Sequence, residues 1–208
     1  MYLENSIKMY LDDAAAEKDA PGGGSVSALC GALGASMASM VANFTVGREK
    51  FASVDKRVRE ILKHSEDARN KMARFMDADV EEYRKVTAAY QMPKTTDAEK
   101  AARKAAIQDA LKSAMKTPLE TLRTAHSLVL DLKDLVEMGN PNLISDVGVS
   151  AILLVAAIEG AKLNVVINLK YIADAELVET VRQEIEQKEF EAKTIATEVV
   201  GKVYEKIA

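Results

Sequence analysis

Hydrophobic positions along the chain recur every three or four residues, which is the spacing of one face of an α-helix. Alternating, strand-like stretches are nearly absent, and aromatic residues make up only 5% of the chain. Prolines, glycines and capping residues divide this pattern into six helices, and a capping residue near the C-terminus adds a seventh. The predicted spans are residues 4–17, 25–45, 54–90, 97–115, 119–138, 145–173 and, after a cap at Asp174, 175–207.

The predicted fold is all-α, a single-domain multi-helix bundle over residues 1–208 with long central helices. We expect Pro118 to break or bend the chain between the fourth and fifth helices. The 21 uncharged residues Val26–Val46 raise the possibility of a membrane span, but they are mostly Ala, Gly and Ser. Because small side chains gain little from hydrocarbon, we expect close packing inside the bundle and no membrane partner.

Composition excludes several functional classes. With 208 residues, 48% of them hydrophobic, the chain can bury a sizeable core, and a net charge of -4 provides no basic footprint for nucleic acid. The single cysteine, Cys30, excludes a disulfide framework and suits a reduced, cytoplasmic location. Cys30, His64 and His126 do not have metal-ligand spacing, so no metal site is expected.

One acidic residue interrupts an apolar stripe on the third helix. From Met72 onward, steps of three and four keep one face, which consists of Met72, Phe75, Met76, Asp79, Tyr83, Val86 and Tyr90. Asp77 is about 200 degrees around the helix from Asp79 and is expected to face elsewhere. Desolvation raises the pKa of a carboxyl group, which prepares Asp79 for proton transfer. The alternatives are a buried ion pair with Arg or Lys, and a bend that lets Asp79 reach water.

Small polar residues form similar faces on two other helices. On the sixth helix, Asp146, Asn164 and Asn168 share one side, and on the second helix Ser25 and Asn43 share one. Each strip could admit a flat polar ligand or a closely packed neighbouring helix. Asp146 could equally serve as a first-turn residue that complements the helix dipole.

A glycine-rich turn precedes the second helix. Gly22, Gly23 and Gly24 either form only a turn or leave backbone N–H groups open to a carboxylate or carbonyl-rich ligand. A loop with the sequence YQMPK ends the third helix and contains Lys94. Loop lysines are usually solvated, so Lys94 becomes a candidate only if it lies beside a cleft that also contains Asp79.

These motifs together resemble the cyclodeaminase domain of formimidoyltransferase-cyclodeaminase and the stand-alone methenyltetrahydrofolate cyclohydrolases. The resemblance covers about residues 5–175. It is carried by PGGGS, the DAD motif at residues 77–79, YQMPK, AIQDAL, and the segment from GNPNLISDVG to NVVINL. No transferase half accompanies the motifs, so we expect a stand-alone enzyme and favour the cyclohydrolase over the cyclodeaminase.

The resemblance implies an all-α homodimer, a one-carbon derivative of tetrahydrofolate as substrate, and no separate cofactor. It assigns proton transfer to Asp79 and the folate pocket to Gly22, Gly23, Gly24, Ser25, Lys94, Asp146, Asn164 and Asn168. Asn43, on the helix face of Ser25, is a further candidate for substrate binding. Tyr90 departs from the deaminase pattern, in which an aliphatic residue can stand, and a pocket tyrosine would mark a cyclohydrolase.

The mechanism expected from this resemblance uses three residues. Asp79 takes a proton from the attacking water, Tyr90 relays a proton, and Lys94 holds the water, the developing oxyanion or the glutamate tail of the folate. A non-enzymatic helical interaction module is the competing interpretation, and it predicts no folate binding.

Overall fold

The computed structural model describes all 208 residues, and its regular elements are helices only. The six α-helices are α1 (Ile7–Ala15), α2 (Gly23–Asn43), α3 (Asp55–Gln91), α4 (Asp97–Met138), α5 (Ile144–Leu169) and α6 (Ala175–Ile207). Short 3-10 turns occur at Glu49–Phe51 and Pro141–Leu143. The all-α prediction is therefore confirmed, and α3 and α4 are its longest helices.

Small residues let the central helices approach one another closely. Helix α2 packs against both α3 and α5, and α4 packs against α3, α5 and α6. A Cβ added at Gly34 of α2 would lie 2.9 Å from the Cγ atom of Leu154 on α5, closer than van der Waals contact allows. The middle of α2 therefore serves close helix packing, as the alternative interpretation of its small-residue face predicted.

Pro118 does not divide this part of the chain into two helices, although a break or bend there was predicted. Helix α4 continues through it from Asp97 to Met138, so one helix replaces two. A proline inside a helix costs about 3 kcal/mol, since it removes one backbone hydrogen bond and crowds the preceding turn. The flanking Leu111, Met115, Leu119 and Leu122 are all buried, and each such side chain contributes about 1.5–3 kcal/mol. Core burial on both sides of Pro118 outweighs the local cost.

The helix ends agree with their capping signals. Asp174 accepts a hydrogen bond from the backbone N–H of Leu177 at 3.1 Å, so it caps α6 as predicted. Helix α1 is shorter than expected and begins after Ser6, whose side chain accepts from the backbone N–H of Met9. Helix α2 begins at Gly23, two residues before the predicted start, and Gly22 at its N-cap offers no side-chain acceptor.

Helices α2 and α5 are each long and apolar enough, by length and composition alone, to cross a membrane. In the bundle, however, 61% of the apolar stretch of α2 is buried against protein, as is 44% of the apolar stretch within residues 141–169. Much of α5 is therefore apolar and still exposed, a feature that bears on self-association below.

Candidate active site

A cavity of about 370 Å³ opens where the N-terminus of α2 meets the side of α3. Helix α4 and the C-terminal half of α5 complete its walls. Nine of its 16 lining residues are hydrophobic, so the interior is largely apolar with a few polar groups. The lining consists of Asp19, Ala20, Gly22, Gly23, Asp79, Val80, Tyr83, Val86, Tyr90, Leu111, Ala114, Pro118, Asn164, Ile167, Asn168 and Tyr171.

The carboxyl group of Asp79 lies against the first turn of α2. The backbone N–H of Ser25 donates to Asp79 Oδ2 at 3.0 Å. A Cβ added at Gly24 would lie only 2.1 Å from Asp79 Oδ1, so only glycine leaves room for this carboxylate. Asp79 forms no ion pair with a lysine or arginine, so the structure does not support the ion-pair alternative. Its hydrogen-bonding partner is the exposed backbone of the glycine turn.

Burial raises the pKa of Asp79 above its ordinary value of 3.8. The Ser25 N–H donates to the charged form and acts in the opposite direction, but desolvation is the larger effect. The positive end of α2 also favours the ionised form. Asp79 is therefore a carboxylate that is held in place by hydrogen bonding and accepts a proton more readily than a solvated aspartate.

A buried tyrosine supports the Ser25 end of this arrangement. The hydroxyl group of Tyr10 lies 3.0 Å from Ser25 Oγ, and both residues are buried. Asp77 faces away from the cavity, where it accepts from the backbone N–H of Tyr2 at 2.5 Å. The prediction that Asp77 and Asp79 face different directions is confirmed.

The two asparagines of α5 form the opposite polar wall. Asn164 Nδ2 donates to the Gly160 carbonyl, and Asn168 Nδ2 donates to the Asn164 carbonyl, each at 2.8 Å. Asn164 also packs against the glycine turn, since a Cβ at Gly23 would lie 3.2 Å from its Nδ2. One N–H of each carboxamide is bonded within its own helix, so the second N–H and the carboxamide oxygen are the groups available to a ligand.

Five of the predicted site residues do not line this cavity, although two of them, Gly24 and Ser25, contact Asp79. Asn43 ends α2, and Asp146 lies in the first turn of α5. Each is 18 residues, or about 27 Å of helix, from its predicted partner at the cavity end. Asp146 instead lies in the first turn of α5, where its negative charge complements the helix dipole. This is the alternative role given for it above. Lys94 lies in the exposed loop beyond α3 and contributes to a different cleft.

The sequence interpretation left out several cavity residues. Tyr83 is one turn beyond Asp79 on the same stripe, so its position was already a signal for the site. Asp19, Pro118 and Tyr171 come from separate parts of the chain, and only the tertiary structure brings them to the cavity. Pro118 lies there because α4 continues unbroken past the cavity.

Comparison with known proteins shows the family. The formiminotransferase-cyclodeaminase family matches residues 6–187. The chain belongs to this family. A methenyltetrahydrofolate cyclohydrolase from Methylorubrum extorquens is 38% identical over 182 residues, which are 87% of each chain. The formimidoyltransferase-cyclodeaminase of Rattus norvegicus is 35% identical over 96% of this chain, which spans 37% of the rat protein.

The fold of the chain also matches that of a solved structure from the same family. The formiminotetrahydrofolate cyclodeaminase of Thermotoga maritima is 32% identical and superposes with a TM-score of 0.80. The match covers 99% of this chain and 97% of the other. The resemblance inferred from the glycine turn, the DAD motif and the α5 segment is therefore confirmed at the level of family and fold.

Proposed function

We propose that this protein is a methenyltetrahydrofolate cyclohydrolase, which converts 5,10-methenyltetrahydrofolate into 10-formyltetrahydrofolate. The observation that carries the proposal is the Asp79 carboxyl, partly desolvated and held beside an apolar cavity. The 38% identity to the Methylorubrum cyclohydrolase supports this choice of reaction. Cyclodeamination of formimidoyltetrahydrofolate, with release of ammonia, is the second candidate, and the Thermotoga and rat relatives support it.

The substrate carries a cationic carbon between N5 and N10, so a water oxygen can add to it without further activation of the carbon. Asp79 stabilises the cation and accepts one proton from the water as the C–O bond forms. The C–N5 bond then breaks, the hydroxyl proton moves to N5, and the carbon becomes the formyl group on N10. Asp79 finally releases its proton to solvent. No separate cofactor takes part, because the folate itself supplies the electrophile.

Tyr90 takes a binding role in this proposal in place of the relay first expected. It lines the cavity, but it follows Asp79 by 11 residues, or about 16 Å along α3. That separation is too long for direct proton exchange with Asp79. Tyr90 instead forms the far wall, where its ring can pack against the aromatic part of the folate. Lys94 lies further still from Asp79, so it acts on the tail of the substrate and not at the reacting carbon.

Offering the purified protein both folates decides between the two reactions. We expect loss of the near-ultraviolet absorbance of methenyltetrahydrofolate and no release of ammonia from formimidoyltetrahydrofolate. The reverse result would assign the cyclodeaminase reaction. Binding of 5-formyltetrahydrofolate should also raise the melting temperature, because a ligand specific for the native state stabilises it. Absence of both turnover and stabilisation would favour the interaction module.

The proposal places the enzyme in the cytoplasm, without a membrane or nucleic-acid partner. Its single cysteine and net charge of -4 support that placement. We also propose a homodimer that forms through an apolar face shared by α2 and α5. The exposed stripe of α5 consists of Val149, Ile152, Leu163 and Ile167 and continues to Tyr171 just after the helix. The stripe of α2 consists of Val26 and Leu33 and continues to Phe44 at its C-cap.

Several features favour a second copy as the partner for this face. The Cys30 thiol donates to the Leu153 carbonyl at 3.3 Å, so the α2 and α5 stripes lie side by side. Ile167 and Tyr171 belong both to the stripe and to the cavity lining, so a partner would also cover the cavity. An antiparallel two-fold pairing would bring the Asp146 end of one protomer to the cavity end of the other.

We expect charged substitutions on this face to separate the dimer. Ile152→Glu combined with Leu163→Glu should reduce the mass in solution from twice the 22.6 kDa chain mass to that of one chain, measured by light scattering. Phe190→Glu is the control, because Phe190 is 76% exposed on α6, outside the shared face. A wild-type protein that is monomeric at micromolar concentration would contradict the proposal.

A further inference from the structure

A buried tyrosine hydroxyl group on α1 lies close to the active site and takes no part in the proposed chemistry. Tyr10 is 4% exposed and is the only buried residue of α1. Its hydroxyl group lies 3.0 Å from Ser25 Oγ. The backbone N–H of the same Ser25 donates to Asp79 Oδ2. Ser25 therefore connects Tyr10 to Asp79 through two different groups, its side chain and its backbone.

Contacts on several sides hold the ring of Tyr10 in place. The ring packs in a small apolar cluster with Ala28 of α2 and Met76 of α3. It also meets the ring of Tyr2 edge to face, with 5.2 Å between the centroids and 85° between the planes. The backbone N–H of Tyr2 in turn donates to the Asp77 carboxylate on α3. Because the ring is held by two helices and by Tyr2, its hydroxyl group stays in one position.

The hydroxyl group of Ser25 is a second donor that Asp79 does not use. Rotation about the Cα–Cβ bond of a serine carries its hydroxyl group through three staggered positions. The Ser25 N–H already contacts the carboxylate, so a rotamer that aims the hydroxyl the same way would give Asp79 two donors. Ser25 is fully buried, and Tyr10 is the only hydrogen-bond partner of its Oγ atom. The pairing with Tyr10 therefore keeps this donor turned away from Asp79.

The other titratable groups that face Asp79 carry no positive charge. No lysine, arginine or histidine lines the cavity, and its α4 wall is apolar. Burial raises the pKa of Tyr10, and the nearby charges of Asp79 and Asp77 act in the same direction, so the Tyr10 hydroxyl stays protonated near neutral pH. The titratable groups around Asp79 are Tyr10 of α1, Asp19 before α2, Tyr83 and Tyr90 of α3, and Tyr171 after α5.

We propose that Tyr10 is a positioning residue that holds the Ser25 hydroxyl group away from Asp79, so that the carboxylate accepts from one backbone N–H only. The proposal rests on the proposed function for the role of Asp79 as a base. A carboxylate with one donor accepts a proton more readily than one with two, because each donor stabilises the ionised form. Tyr10 does not line the cavity, so it acts on the reaction through Ser25 and not on the substrate.

Carbon-13 NMR titration of the Asp79 carboxyl group tests this role without relying on turnover. Tyr10→Phe keeps the ring and frees the Ser25 hydroxyl to donate to Asp79, so the pKa of Asp79 should fall by about one pH unit. In the double variant Tyr10→Phe, Ser25→Ala, no hydroxyl remains to turn, and the pKa should return to the wild-type value. Tyr204→Phe is the control, because Tyr204 is 67% exposed on α6 and its hydroxyl lies outside the site.

The pH profile of kcat/KM gives a second measurement that a purely structural tyrosine would not affect. The acid limb of Tyr10→Phe should lie about one pH unit below that of the wild type, and its kcat near neutral pH should be about threefold lower, because Asp79 is then a weaker base. The affinity for 5-formyltetrahydrofolate should stay within about twofold of the wild type, since Tyr10 does not line the cavity. A lower melting temperature with an unmoved acid limb would show that Tyr10 serves packing only.

The variant Ser25→Ala provides a test that does not depend on the folding of Tyr10→Phe. Its Asp79 should keep the wild-type pKa, because the hydroxyl that it removes points to Tyr10. A raised pKa would show that this hydroxyl already donates to Asp79, and would overturn the proposal. An unchanged pKa in Tyr10→Phe, or a lowered pKa that Ser25→Ala does not restore, would also overturn it and leave the cyclohydrolase proposal intact. A wild type that turns over neither folate would refute the proposed function, and the titration would still decide the contact between Ser25 and Asp79.

Discussion

Asp79→Asn should lower the turnover of methenyltetrahydrofolate by about 10³-fold, within the range that general acid–base catalysis supplies. An amide keeps the shape of the side chain and still accepts from the Ser25 N–H, but it cannot take a proton from water. The measurement is the decay of substrate absorbance under saturating conditions. Retention of most activity in Asp79→Asn would remove the carboxylate from the mechanism.

Stability measurements distinguish a catalytic Asp79 from a structural cap. Because burial raises its pKa, ionised Asp79 costs the folded state free energy. Its stabilising contribution is present below the unfolded pKa near 3.8 and is lost as pH rises through the higher folded pKa. At neutral pH, Asp79→Asn removes that cost, so its melting temperature should equal or exceed that of the wild type. A clear fall in melting temperature would indicate a structural role.

The same pKa shift predicts the acid limb of the activity profile. Asp79 acts as a base only when it is ionised, so activity should fall as pH drops through its folded pKa. Because that pKa is raised, the fall should occur at a higher pH than for a solvated aspartate. A profile of kcat/KM against pH shows this limb in the wild type.

Gly24→Ala should lower kcat by about 100-fold, because a misplacement of about 1 Å is enough to cost that factor. The new Cβ would lie 2.1 Å from Asp79 Oδ1 and 2.5 Å from its Cγ, so the carboxylate must move. The control is Gly201→Ala on α6, where an added Cβ meets nothing within 4 Å. Normal turnover in Gly24→Ala would show that the position of Asp79 does not limit the rate.

A double-mutant cycle assigns the Gly24 effect to Asp79. If Gly24→Ala acts by displacing the carboxylate, it should cost little further activity in the Asp79→Asn background. Independent effects would instead multiply. Equal losses in both backgrounds would indicate that Gly24 acts on the substrate directly, through the backbone N–H groups of the α2 terminus.

The candidate site was predictable from the sequence where a signal lay within one helix. Asp79 interrupts an otherwise apolar stripe, and the structure places it at the cavity with Tyr83, Val86 and Tyr90 from the same stripe. Asn164 and Asn168 are one turn apart on α5 and reach the cavity together. Helical periodicity preserves this information, because residues three or four apart share a face in any helical fold.

The structure differs from the sequence expectations in two respects: it separates residues that share a helix face but lie far apart along the axis, and it does not end α4 at a local helix breaker. Asn43 and Asp146 share faces with Ser25 and Asn164, but about 27 Å of helix separates each pair. Pro118 carries a strong local signal for a break, yet burial on both sides keeps α4 continuous. Helix propensity describes only the local free-energy cost of a proline inside α4. The contacts that compensate for this cost come from other helices.

By itself, the sequence determined that the protein is a helical bundle, which side of α3 faces inward, and which family the chain belongs to. Only the tertiary structure decided that the glycine turn of α2 meets α3 at Asp79, and that α4 continues past the same cavity at Pro118. The physical reason is that helical periodicity specifies the rotation of a side chain about its own axis. The position of a neighbouring helix along that axis depends on how all the helices pack.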